Sequence, residues 1–230
     1  MLTSRIEDFI VKVLCLMVGV TALLAAGCDT EAADAGLPAR EQLSTPQFRA
    51  NSGLDEFCDD WASSPTSSRG VKRFTIEANI ANLPRYLGAH EVPPGYGATP
   101  VFATSRMTHE AACNDTRPEY VWVAECERDA DGNAIYARLR RSLTHQYVVP
   151  RSEGEQTLAT TRVFNCLHPT APQLQLGIYP EGLNESGPYS INTSYGPLSV
   201  EPERDGKSSV VFGGNPMPGS DDFFLRACPD

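Results

Sequence analysis

The residues most nearly arranged for chemistry are His109-Glu110-Ala111-Ala112-Cys113. Zinc peptidases set two histidines four positions apart on one helix face, with a glutamate between them as general base, because that spacing lets both imidazoles reach one metal. Here Cys113 takes the second position. A thiolate binds zinc, yet Asn114-Asp115 ends any helix at once and no third ligand is evident, so a surface loop or a disulfide is the expected role of this segment.

A second arrangement lies at Glu127, Asp129, Asp131 and Gly132, which place oxygens at alternate positions and glycine at the sixth, as in the first half of an EF-hand loop. The loop then requires a bidentate carboxylate at its twelfth position, where Arg138 stands. A plain turn is therefore expected. No cofactor is predicted; were a metal bound, it would be calcium, held weakly by Asp129, Asp131 and Asn133.

Nucleophilic catalysis has no contiguous signature. There is no Gly-x-Ser-x-Gly elbow, and no glycine-rich phosphate cradle leads into a helix. His90, His145 and His168 fall in dissimilar contexts. The remaining candidates are aromatic: Tyr96 between two glycines, and Tyr189 and Tyr195 in a stretch rich in Gly, Pro, Ser and Asn. In exposed loops such rings stack on sugars or anchor a protein contact.

Seven cysteines are present. Cys15 and Cys28 belong to the N-terminal segment discussed below, leaving Cys58, Cys113, Cys126, Cys166 and Cys228. Spaced cysteines without tight pairs read as disulfides of an exported domain, and two bridges with one free thiol is the simplest count. Their connectivity stays open. One bridge from Cys58 to a later strand is preferred, because long loops constrain the unfolded chain most.

The elements that would position these residues are mostly strands. Leu54, Phe57, Cys58 and Trp61 fall at i, i+3, i+4 and i+7, which predicts one brief helix. From 74 to 80 the period changes to two, with Phe74, Ile76, Ala78 and Ile80 on one face. Segments 120–126 and 135–139 flank Asp131-Gly132-Asn133 and predict a hairpin. Further strands are expected at 143–149, 158–166, 174–179, 198–201, 209–212 and 223–228, with a second hairpin turned at 204–207. No internal repeat is visible. The chain is thus expected to be mainly β, a single antiparallel β-sandwich or alternatively a β-barrel, spanning 51–230.

The net charge of −10 lies wholly outside residues 1–27, where Arg5 and Lys12 balance Glu7 and Asp8. An acidic surface repels phosphate backbones, so nucleic acid is excluded as a partner. An envelope protein or a neutral glycan fits better.

Residues 1–27 combine a charged start with an uncharged apolar run from 13 to 26, too short to span a bilayer comfortably and closing in small residues, which predicts a secretory signal peptide. Leu24-Ala25-Ala26-Gly27-Cys28 resembles the lipobox of bacterial lipoproteins, although the preferred Leu sits one position early. The resemblance covers residues 1–28 and implies that Cys28 is acylated and becomes the mature N-terminus, with the membrane, outer or inner, unresolved. Residues 28–50, rich in Ala and acidic side chains, read as a disordered tether. The expected protein is a lipid-anchored binding or structural module of the bacterial cell envelope; the alternative is an envelope hydrolase with a noncontiguous active site.

Overall fold

The computed structural model describes residues 52–62, 72–91, 97–114, 117–144, 146–163, 175–181, 187–203, 207–214 and 218–229. The signal segment, Cys28, the tether, Tyr96, Cys166, His145, His168 and the turn at 204–206 lie outside them.

The chain is mainly antiparallel β, as its patterning predicts. A helix, α1 (Ser52–Trp61), precedes twelve strands: β1 (Phe74–Ile80), β2 (Leu83–Ala89), β3 (Thr99–Thr104), β4 (Trp122–Arg128), β5 (Ala134–Arg141), β6 (Gln146–Glu153), β7 (Gln156–Val163), β8 (Gly177–Pro180), β9 (Tyr189–Thr193), β10 (Gly196–Val200), β11 (Ser208–Phe212) and β12 (Phe223–Ala227). A one-turn helix, α2 (His109–Ala112), sits between β3 and β4.

Among the described residues all twelve strands belong to one sheet, and their pairing repeats with a period of four. The first and fourth strands of each unit form a ring, β1-β4-β5-β8-β9-β12, closed by β12 against β1. The middle strands form the hairpins β2–β3, β6–β7 and β10–β11, and these pair with one another through β3–β7, β3–β11 and β7–β11. A six-stranded ring closed at one end by three mutually paired hairpins is the β-trefoil arrangement. It lies between the two layouts expected from the sequence, since the sheet closes as in a barrel but unevenly. Three of the six ring seams rest on single residue pairs: Phe74 with Trp122, Ala137 with Leu176, and Phe223 with Tyr189. All six of these side chains are buried in one core cluster, so packing supports the seams where backbone pairing is sparse.

Helix α1 covers the other end of the ring. Leu54, Phe57 and Cys58 are buried in the same core, as their spacing predicts. Asp55 accepts from the Ala134 amide at 2.6 Å, and Asp59 pairs with Arg128 at 2.7 Å, which ties the helix to the β4–β5 turn. The Cys58–Cys126 disulfide fastens it to β4, so the preferred link from Cys58 to a later strand is present.

Three strands escape the sequence pattern. In β2, Pro84 and Gly88 interrupt the alternation, but Pro84 falls at the exposed start of the strand and Gly88 lies under the Tyr120 ring, which a Cβ would meet at 2.8 Å. Short β3 carries Pro100, and β9 sits in the stretch read as a loop. The strand expected at 143–149 is shifted; β6 begins at Gln146, and Leu143, in the preceding turn, is exposed.

Candidate functional site

Strand β1 turns Phe74, Ile76 and Ala78 to the core and leaves Thr75 and Glu77 on its other face, yet both of these are buried too, at 0% and 4% exposure. Three neighbouring elements cover them. From β12, Arg226 holds Glu77, Nε to Oε2 at 3.0 Å. From β2, the Tyr86 hydroxyl bonds to the Glu77 carboxylate; burial first, then that carboxylate's charge, push the phenol above its usual range. From α2, His109 Nδ1 shares a hydrogen bond with Thr75 Oγ1 at 3.0 Å.

Local sequence explains why α2 forms here. Thr108 caps it, accepting from the Ala111 amide at 3.2 Å. Beneath it, Met107 and Ala112 pack on Tyr86, Phe102 and Tyr120 in a satellite cluster that presses α2 onto β2 and β3. The spacing of four then brings His109 and Cys113 together, with Cys113 Sγ 3.7 and 3.8 Å from the two ring nitrogens. Their spacing is legible in the sequence, but their setting against Thr75 and Cys228 is not. Cys113 is bonded to Cys228, Cα to Cα 5.3 Å, so it is neither a thiolate ligand nor a free nucleophile in this state. Among the described residues no group of three His, Cys, Asp or Glu side chains is placed to hold a metal.

At the β4–β5 tip, Asp129 Oδ1 accepts from the Asp131 amide at 3.0 Å and the Asn133 amide at 2.8 Å, while Asn133 Nδ2 donates to Oδ2 at 3.1 Å. These bonds, those from Asn133 foremost, hold the Asp129 carboxyl below its usual range. The carboxylate thus closes its own turn. Arg138, at the position where an EF-hand needs a carboxylate, pairs with Glu127 at 3.3 Å.

The tyrosines divide. Tyr189 is a core residue, 3% exposed, edge-on to Phe57 with ring centroids 5.9 Å apart, which corrects its reading as a loop aromatic. Its strand, β9, is flanked by Gly and Pro, which give this stretch the composition of a loop. Tyr195 is half-buried in the β9–β10 turn, packed against the core with its amide donating to Thr193 Oγ1.

Two further groupings were not found from sequence. His90 stacks on Phe102, centroids 4.8 Å apart, and Lys207 lies over the same ring at 4.6 Å with its ammonium 3.3 Å from His90 Nε2. Burial and then the Lys207 charge lower the His90 pKa. Glu181 bonds to Asp222 beside Asp221, and burial followed by these carboxyls raises the Glu181 pKa. Both join residues far apart in sequence, with no local motif to reveal them.

No family model matches the chain, and no curated protein matches it. Among solved structures it is similar to a Caenorhabditis elegans protein of unknown function at 14% identity, covering 70% of this chain and 98% of that one with a TM-score of 0.47. An SDF2-like protein from Arabidopsis thaliana aligns at 9% identity over 68% and 92% of the two chains, TM-score 0.49. A Culex salivary protein of the Cysteine and Tryptophan-Rich family aligns at 11% over 69% and 95%, TM-score 0.48.

Proposed function

We propose that this chain is a lipid-anchored extracytoplasmic binding module of the bacterial cell envelope, with a folded domain held on a tether from acylated Cys28. The observation that carries the reading is the pair of long-range disulfides, Cys58–Cys126 and Cys113–Cys228, spanning 68 and 115 positions. Bridges of this kind persist in oxidising compartments, which agrees with the export signal read in residues 1–27. The acidic balance of the remaining residues leaves attachment to the membrane to the lipid rather than to surface charge. A disulfide-braced ring of strands is a rigid frame, and its connecting loops are where an envelope protein or glycan would be contacted.

Fractionation tests the anchor. Wild-type protein is expected in the membrane fraction and Cys28→Ser in the soluble fraction; retention of the variant on membranes overturns it. Thermal unfolding against envelope glycans and calcium tests binding, since a ligand at a hundred times its dissociation constant stabilises by about 2.7 kcal/mol. A shift abolished by Tyr195→Ala assigns the ligand to the β9–β10 turn.

A further inference from the structure

The two disulfides differ in what lies against their sulfurs. Cys58 lies on α1 between Asp55 and Asp59, and its partner Cys126 lies on β4 between Glu125 and Glu127. All four carboxylates are engaged by arginines, Asp55 and Asp59 by Arg128, Glu127 by Arg138 and Glu125 by Arg140, which leaves no ring nitrogen or free charge set against either sulfur among the contacts of this bridge. Cys58 is sealed in the core, at 3% exposure, while Cys126 is half-buried.

At Cys113–Cys228 an imidazole lies against the sulfur. The His109 ring sits against Cys113 Sγ, with Nδ1 at 3.7 Å and Nε2 at 3.8 Å, so a ring N–H is within reach of the sulfur. Thr75, buried at 0% exposure, fixes that ring by its hydrogen bond to Nδ1. The nearest buried carboxylate, Glu77, is already engaged by Arg226. On α2, Glu110 is exposed to solvent. From the Arg73 side, the backbone carbonyl accepts from the Cys228 amide at 2.8 Å, and the guanidinium donates to the Pro229 carbonyl at 3.5 Å. Both sulfur-bearing residues are 9% exposed, at the edge of solvent.

We propose that Cys113–Cys228 is a thiol–disulfide exchange site that reacts with dithiols, with His109 as the positioning residue that stabilises the Cys113 sulfur as it leaves. One thiolate of the dithiol attacks Cys228 Sγ, the S–S bond breaks, a mixed disulfide forms on Cys228, and Cys113 departs as a thiolate beside His109. The second thiol of the dithiol, deprotonated, then attacks the mixed disulfide at its own partner sulfur. Cys228 leaves as a thiolate and takes up a proton. The dithiol is oxidised to a disulfide by two electrons, and the protein bridge is reduced to a thiolate and a thiol. Exchange quickens as the leaving thiol becomes more acidic, which is the advantage His109 confers. Cys58–Cys126 is the purely structural bridge.

The test uses the purified full chain, its free thiols first blocked, then treated with dithiothreitol at neutral pH. Newly exposed cysteines are trapped with a second alkylating label and assigned by peptide mass spectrometry, with circular dichroism reporting the fold throughout. Cys113 and Cys228 are expected to be labelled at least about tenfold faster than Cys58 and Cys126, before the fold is lost. His109→Gln, which keeps a hydrogen-bonding side chain without a titratable charge, should slow opening by about three- to tenfold. In the reduced protein the Cys113 thiol should titrate below the ordinary value of about 8.5 and return to it in the glutamine variant. A role for His109 in packing alone would leave that titration unmoved. Equal labelling of the two bridges, or a Cys113 thiol that titrates normally in the wild type, overturns the proposal. Should His109→Gln fail to fold, Thr75→Val, which frees the ring, and the wild-type titration decide the matter.

Discussion

The indole N–H of Trp61 donates to the Tyr189 hydroxyl at 3.1 Å, joining positions 128 apart in the chain. One partner ends α1 and the other opens β9, so a single bond links the helix that covers the ring to the sparse β9–β12 seam. Trp61 also meets the Phe74 ring edge-on at 5.3 Å, at the start of β1. The helix thereby touches two of the three sparse seams.

Tyr189→Phe keeps the ring and deletes only this bond. A loss of about 1 kcal/mol is expected in urea unfolding, the usual net worth of a partly buried hydrogen bond. Tyr189→Ala should cost about 3 to 5 kcal/mol, because it opens a cavity against Phe57 and Phe223. Equal losses for the two variants would contradict the core placement of Tyr189.

Two glycines with similar backbones should respond very differently. Gly132 (φ +89°) and Gly213 (φ +69°) both occupy the left-handed region, which costs a side chain about 1 to 2 kcal/mol. At Gly132 an added Cβ meets nothing within 4 Å, whereas at Gly213 it would lie 2.1 Å from the Tyr195 carbonyl oxygen. Gly132→Ala is expected to cost about 1 kcal/mol, and Gly213→Ala to prevent folding or cost several times more. Thermal melts of the two variants side by side give the comparison.

The β1–β2 turn offers the reverse. Ala81 and Asn82 have φ of +51° and +62°, the pattern of a tight hairpin in which both central residues are left-handed. Asn adopts this conformation at little cost, whereas Ala81 adopts it at a cost of about 1 to 2 kcal/mol. Ala81→Gly should therefore raise stability by about 1 kcal/mol, read as a higher urea midpoint with unchanged slope.

Glu181 makes folding pH-dependent near Asp222. Burial and the neighbouring carboxyls raise its pKa in the folded chain, so between the ordinary carboxylate value and the raised one the folded state binds more protons than the unfolded state. Stability contributed by this group is present at low pH and falls as pH rises through that window. Glu181→Gln should be more stable than wild type at neutral pH, with the difference vanishing below the ordinary carboxylate range. Unfolding midpoints from pH 3.5 to 7.5 would expose a variant whose advantage is absent or reversed.

Periodicity made the local elements legible. Alternation marked β1, an Asp-Gly turn between β-branched segments marked β4 and β5, and the i, i+3, i+4, i+7 spacing marked α1, because each is decided by neighbours within one turn or one pleat. Strands β2 and β3 are hidden by Pro and Gly that break alternation but fall where tertiary neighbours accept them, such as Pro84 at an exposed strand start and Gly88 beneath Tyr120, and β9 is hidden by the Gly and Pro that flank it.

By itself, then, the sequence determined the antiparallel β class, the capping helix, the Asp129 turn and the residues able to form bridges, all of which follow from residue type and short-range spacing. The tertiary structure alone decided that the twelve strands of the described residues repeat as three four-strand units without a sequence repeat, that Cys113 meets Cys228 rather than a metal, and that Tyr86 and Arg226 converge on Glu77 while Thr75 on the same strand face holds His109. Those outcomes depend on contacts between segments tens of residues apart, where ring closure and burial select among pairings that local spacing leaves equally open.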